Sequence, residues 1–301
     1  MSNSPRIYRS TDPGAPQLAG QPGSFVAVMD AVLIDGYGSG PSAKAPLGWV
    51  RAYSGANKRA FRNDPANYSG EYVRFDDTNA QFVLVDGYET LSDIDQPDGK
   101  FWATPSAWAK SSAASSATRE WIVIGTAKIF YVMIKANGAQ WLGFFVGDAS
   151  MLGPNDNLSF AYGLSAAATG YSNSTYVWNS TNQGSAIFAR SSANVPGQGR
   201  AFLGAALFSG SSVVGGGGLA YPLSTTGGLL LSPMVLLEGG NARANPPRAH
   251  LPGVWWPEHA NLPEGHVFTD VTGLPPGTEL LCLVTDGPRN ARALFDMTND
   301  W

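Results

Sequence analysis

The sequence predicts a mainly β fold of the β-rich α+β kind: antiparallel, sandwich-like sheets, one N-terminal helix and an extended N-terminal arm. Three observations predict it. Short apolar runs rich in Val, Ile, Phe and Tyr recur along the 301 residues, several of them alternating with polar residues as strands do. The 36 Gly and 21 Pro supply turn residues between such runs. Only one segment carries a helical period. The arm is residues 1–22. The rest, 23–301, reads as a single large β-rich domain, because sandwiches and barrels often exceed ~150 residues. Two subdomains, 23–150 and 151–301, are the alternative.

From Met1 to Gln21 the chain is dense in Pro, Gly and small polar residues, so it is expected to run extended along another subunit, anchored by Ile7, Tyr8 and Leu18. Phe25, Val28, Met29, Val32 and Leu33 recur at i, i+3, i+4, i+7 and i+8, which predicts a helix with Ser24 as its cap and Gly36 as its stop. Trp49 to Tyr53 and Lys58 to Arg62 flank Ser54-Gly55-Ala56-Asn57 as a hairpin. Tyr72 to Phe75 and Gln81 to Val85 make a second pair across Asp76-Asp77-Thr78-Asn79.

The clearest β signal is Lys128 to Lys135 followed by Gln140 to Val146, around Asn137-Gly138, since Asn-Gly adopts positive φ cheaply. Trp121 to Ile124 adds a third strand. Along the first of these strands Ile129, Tyr131 and Met133 fall on one face and Phe130, Val132 and Ile134 on the other. Both faces are apolar, so one must meet the core and the other a second layer or a neighbouring subunit. Further on, Ser185 to Arg190 and Ala201 to Phe208 read as strands and Gly215 to Gly218 as a flexible loop. Pro233 interrupts Leu229 to Leu237 and demotes that run to an edge strand or a bulge. Glu279 to Thr285 and Arg292 to Met297 form a closing hairpin about Asp286-Gly287-Pro288.

Composition excludes several functions. A net charge of -4 and a pI near 5.3 provide no basic field, so nucleic acid is not an expected partner. No apolar run reaches the ~18 residues that span a bilayer, so no membrane insertion is expected. Asp12, Pro13, Pro16, Pro22 and Asp30 break up the opening, which therefore lacks a signal-peptide pattern. Cys282, in Leu280-Leu281-Cys282-Leu283-Val284, is expected to be a buried core thiol of a protein assembled in a reducing cytoplasm. Charged residues make up 14% of the chain, against about 25% in ordinary globular proteins, so its surface suits cover by other protein.

Chemical constellations are sparse. His250, Glu258, His259 and His266 gather the three histidines, but Pro252, Pro257 and Pro263 space them irregularly, and they read as surface groups in a Pro-rich loop rather than a zinc site. Asp76-Asp77 reads as turn residues rather than glycosidase carboxylates, and Asp93-Ile94-Asp95, with Asp98-Gly99, lacks the spaced oxygen ligands and terminal Glu of a calcium loop. No Gly-x-Ser-x-Gly elbow or phosphate loop is present. No catalytic residue, metal ligand or cofactor is therefore expected. Candidate interface residues are Ile7, Tyr8, Leu18, Phe130, Val132 and Ile134. Trp255 and Trp256, with Trp102, Trp108 and Trp178, read as core or interface anchors; as the alternative, Trp255 and Trp256 form a sugar-stacking platform.

Several ordered motifs resemble a family of tailed-bacteriophage virion proteins. They are Ile7-Tyr8-Arg9-Ser10-Thr11-Asp12-Pro13-Gly14-Ala15-Pro16, Leu18 to Ser24, and Asp35-Gly36-Tyr37-Gly38. Gly48-Trp49, Tyr53 to Lys58, Tyr72 to Asp77, Gly87-Tyr88-Glu89-Thr90, Leu229 to Pro233 and Leu251 to Pro257 follow in the same order. The resemblance spans most of the chain, apart from 160–218. It implies a structural subunit of the virion, assembled in the bacterial cytoplasm, whose partners are copies of itself and other virion proteins. The tail or baseplate region is the leading position, with collar and head surface as others. A glycan-binding or glycan-cleaving module at the tail tip, meeting a host surface glycan, and a head-surface decoration protein are the alternatives.

Overall fold

A computed structural model describes residues 3–101, 106–137, 141–154, 156, 158–164, 186–191, 194, 196–205, 219, 221–222, 227–238, 247–259, 261–269, 271–284 and 292–301. The first half runs β1 (Arg6–Arg9), β2 (Leu18–Ala19), helix α1 (Ser24–Asp30), β3 (Val50–Gly55), β4 (Lys58–Arg62), β5 (Tyr72–Asp76), β6 (Phe82–Tyr88), β7 (Ser106–Ala109), β8 (Thr118–Arg119), β9 (Trp121–Gly125), β10 (Ile129–Ile134) and β11 (Leu142–Asp148). The second half runs β12 (Ser150–Met151), β13 (Phe160–Leu164), β14 (Ala186–Arg190), β15 (Pro196–Ala205), β16 (Leu231–Glu238), β17 (Pro247–Pro257), β18 (Val267–Thr269), β19 (Glu279–Val284) and β20 (Arg292–Asp296). The fold is mainly β and antiparallel, as expected.

Helix α1 forms where the apolar spacing predicts and continues as a π-helical turn over Ala31–Asp35, ending at Gly36 with φ 74°. Its start differs from expectation. Gly23, at φ 81°, occupies the cap position, and the Ser24 hydroxyl donates to the carbonyls of Ala19 and Gln21. The free amides of Phe25 and Val26 donate instead to Asp77 Oδ2, at 2.8 and 3.3 Å. Asp77 follows β5, far along the chain, and its fully buried carboxylate also pairs with the fully buried Lys110 ammonium, which donates in addition to Gln21 O. Asp76 does behave as a turn residue, accepting from the amide and hydroxyl of Thr78.

Strands β3 to β7 form a five-stranded sheet in sequence order. The larger sheet, 13-stranded among the described residues, runs β1-β9-β10-β11-β13-β14-β15-β16-β17-β20-β19-β18, with β12 paired to β17. That last pairing closes a ring. From β11 the hydrogen bonds pass through β13, β14, β15, β16 and β17, then return through β12, which is β11 resumed after Ala149.

The two faces of β10 and β11 separate two cores. Phe130, Val132, Ile134, Phe144 and Val146 pack with Phe25 and Met29 of α1 and with Phe61, Phe75 and Trp108 of the small sheet. Edge-on aromatic contacts join the layers there, with Trp108 and Phe144 4.7 Å apart and Trp49 and Phe130 4.9 Å apart. Ile129, Tyr131, Met133 and Phe145 pack on the other side with Met234, Leu236, Trp256 and Phe295. A division at residue 150 would cut through this second core, which joins Ile122 to Phe295.

The expected interface residues lie inside the chain. Phe130 is 0% exposed and Val132 and Ile134 1% each, so the second layer over the hairpin comes from the same chain and no neighbour is needed to cover it. The arm likewise does not need another subunit: β1 pairs with β9, Tyr8 and Leu18 are buried in the first core, and half-buried Ile7 packs against the second. Strand β16 lies between β15 and β17 and is not an edge, but its ladder with β17 slips between Pro233 and Val235, so of the two expectations for Pro233 the bulge is the one met. Cys282 is buried as expected, and burial pushes its thiol up to about 12. The turn residue Gly138, the tract Gly215–Gly218, the turn 286–288, Trp102 and Trp178 lie outside the described residues.

Removing one member of the Asp77–Lys110 pair leaves the other charge buried. Asp77→Ala is expected to cost about 3 to 5 kcal/mol, read as a lower urea midpoint, and the double variant with Lys110→Met less than the sum of the two single changes. Additive costs would show that the two charges are not coupled.

Candidate functional site

Strand β17 shapes the candidate site. One edge pairs with β16, the other first with β12 and then with β20. Its ladder with β16 slips: Pro233 faces Trp255 while Val235 faces His250, so a two-residue step on β16 answers a five-residue step on β17. Three residues are in excess and bulge around Pro252 and Gly253. Pro233 suits this place because it has no amide to offer a ladder. Gly253, at φ 68°, is in a conformation side chains rarely adopt, and a Cβ there would lie 1.9 Å from the Trp301 indole. The buried Tyr131 hydroxyl donates to Pro252 O at 2.6 Å and fixes the bulge.

Beside the bulge is a cavity of about 390 Å³ lined by Leu152, Pro233, Val235, Pro247, His250 and Trp255, among others. Strand pleat explains the lining. Met234 and Leu236 point into the second core, so Pro233 and Val235 point away from it. Leu152 lines the groove while remaining 52% exposed, so this wall of the groove is open to solvent. Among the described residues His250 is its one ionisable group. Burial, helped by the charge of Lys128, lowers the proton affinity of this imidazole, so it is uncharged at neutral pH. A small, apolar, uncharged concavity of this size accepts an apolar group and offers little to a polar one.

The tryptophans that the sequence grouped are separated here. Successive residues of a strand point to opposite faces. Trp256 is 1% exposed within the second core, whereas Trp255 packs beside Leu262 and Phe268 and lines the groove. They cannot form a joint platform, and Trp108 is buried in the first core.

The histidines are not the surface loop that was expected. His259 is fully buried and its Nε2 accepts from the Leu230 amide at 2.7 Å; Glu258 accepts from the Ser232 hydroxyl at 3.1 Å. Of the three, His266 alone is exposed, stacked edge-on against Phe268. Among the described residues no group of three or more His, Cys, Asp or Glu is placed to hold a metal. The Asp93 carboxylate accepts from the amides of Asp95 and Gln96, which hold it below the usual carboxylate range, and Asp98 accepts from the amide and hydroxyl of Ser92. Asp93 and Asp98 thus bond backbone and side-chain groups of their own loop.

Sequence reasoning missed the groove itself. Val235 and Leu152 carry no motif, and the bulge that opens the cavity depends on a register that no local pattern specifies. Pro233 was its one visible signal. The sequence matches no protein-family model and no curated protein.

Two outcomes follow from this geometry. Gly253→Ala is expected to lower stability by more than about 1 kcal/mol in chemical denaturation, because it combines a positive φ with a steric clash; an unchanged midpoint would mean that Trp301 is free to withdraw. The lowered affinity of His250 for a proton means that its neutral form is the one the fold accommodates. The unfolded chain takes up a proton as pH falls below about 6.5 and the native state resists it. Stability is therefore full above that pH and declines below it, and His250→Asn should flatten the decline in thermal melts run from pH 8 to 5.

Proposed function

We propose that the chain is a structural subunit of a tailed-phage particle, in the tail or baseplate region, which works by burying surface against copies of itself and other virion proteins. The observation that carries the reading is the apolar groove beside the β17 bulge, with Leu152 half exposed beside it. Such a concavity suits an apolar side chain from a neighbouring subunit, as the central anchors of protein interfaces do. The ordered motifs that resemble those of phage virion proteins and the low proportion of charge support the same conclusion. The carboxylates that the sequence offered for catalysis also favour it. Asp77 serves the fold, and Asp93 and Asp95 serve a turn and an ion pair with Lys58.

Binding of a host glycan is the second reading, favoured by the half-buried Trp255 in the groove wall. A sugar also needs partners for its hydroxyls, and among the described residues His250 is the only ionisable side chain in the lining. Head-surface decoration is the third, and differs only in position.

Val235→Asp places a charge in the groove at a half-buried side chain that belongs to neither core. The variant is expected to melt within a few degrees of the parent and to be lost from purified particles when it replaces the wild-type chain. Incorporation at wild-type levels, or absence of the wild-type chain from particles altogether, would sink the structural reading. Retention in particles with loss of adsorption to host cells would favour the glycan.

A further inference from the structure

The Asp77 carboxylate and the Lys110 amine touch each other with no exposure to solvent, and the backbone holds both in place. The Asp77 amide donates to Asn57 O at 2.8 Å and its carbonyl accepts from the Gly23 amide at 3.0 Å, while the Lys110 amide donates to Gln81 O at 2.9 Å. Phe25, whose own amide reaches the carboxylate, lies edge-on against Phe75 and Trp108, with ring centres 5.3 and 5.5 Å away. Those two residues stand two positions before Asp77 and Lys110 along the chain.

The hydrogen bonds around the pair suit an amide better than two charges. An ammonium has three protons to place, and among the described residues those of Lys110 meet two acceptors, Asp77 Oδ1 and Gln21 O, the latter at 2.6 Å. An amide joining the two side chains would be fully provided for. Its oxygen, the present Oδ2, would keep the Phe25 and Val26 amides at 2.8 and 3.3 Å, and its single N–H would keep Gln21 O. One neutral group with every polar atom partnered would replace two buried charges.

We propose that Lys110 and Asp77 condense into an intramolecular isopeptide bond, a covalent cross-link within the small sheet. The step balances without a co-reactant. The ammonium first passes one proton to the carboxylate; burial favours this transfer, since it raises the proton affinity of Asp77 and lowers that of Lys110. The neutral amine attacks Cγ, and the negative charge that develops on Oδ2 faces the two amides, as in an oxyanion hole. A second amine proton goes to Oδ1, the Cγ–Oδ1 bond breaks and one water leaves. Holding amine and carboxyl against each other supplies an effective concentration on the order of 10⁵ M or more. Loss of two charges from the core favours the amide further. The bond ties the turn after β5 to the end of β7 and closes a covalent loop that contains β6 and β7. It is separate from the groove and from the assembly reading, and its failure leaves both intact.

The test is the intact mass of the purified, denatured full chain, followed by a tryptic map. The chain is expected to be lighter than its composition requires by one water. The map should contain a branched peptide in which 75–100 is joined to 101–119, because trypsin does not cut after an acylated lysine. Lys110→Arg should have the full mass of its own composition and release 75–100 and 111–119 as separate peptides. A wild-type chain of full mass, with 75–100 recovered free, overturns the proposal. A water deficit that persists in Lys110→Arg also overturns it, since the loss then lies elsewhere, as in ring closure at an Asp-Gly step. Should that variant fail to fold, the wild-type map decides alone: the branched peptide in any proportion supports the bond, and its absence refutes it.

Discussion

A hairpin without a polar face is the constraint on which the rest of this fold depends. All six residues of β10 and all seven of β11 are buried, and their side chains alternate between two cores. A sheet with one apolar face can rest on a single layer and leave its other face to water. This one cannot. The small sheet and α1 cover one side, and the far strands of the large sheet curl round to cover the other. The long path of that sheet and its closure through β12 are the means by which one chain provides both layers for itself.

Charge is scarce in this protein, and much of it acts inside. Asp77 and Lys110 are both fully buried. Burial pushes Asp77 up and Lys110 down, each against the pull of its partner, so the pair adds little favourable energy of its own. Its contribution is positional. Asp77 occupies the helix start and Lys110 reaches Gln21, which fixes the arm, α1, the β5–β6 turn and the end of β7 relative to one another. At the other end of α1, Asp30 accepts from Arg51 and Arg59 at 2.8 Å each, tying the helix to β3 and β4.

What could be seen in the sequence were features set by local pattern. The alternation of β10 predicted which residues share a face, the apolar spacing predicted α1, and Asp76 read correctly as a turn residue because its partner, Thr78, lies two positions on. What stayed hidden depends on distant segments meeting. Ser24 has the chemistry of a helix cap, yet a carboxylate about fifty positions away takes the amides, and nothing local distinguishes Asp77 from its neighbour Asp76. The apolar anchors of the arm, Tyr8 and Leu18, signal that something covers them but not whether it is the same chain or another. Trp255-Trp256 looked like a pair only in the linear text, since a strand turns adjacent side chains apart.

The bulge in β17 contains an odd number of extra residues, and that number carries information. Before it Ala249 and Leu251 point into the second core; after it Val254 and Trp256 do. Inward positions pass from odd to even, so the bulge acts as a frameshift in the inside-outside code of the strand. A lineage could exchange the residues of this loop other than Gly253 and keep the fold, but losing or gaining a single one would exchange the faces of Trp255 and Trp256. Selection here therefore acts on length, and on the glycine, before the identity of the rest, and related chains should be recognised by the spacing between Leu251 and Trp256 more than by the other residues that fill it.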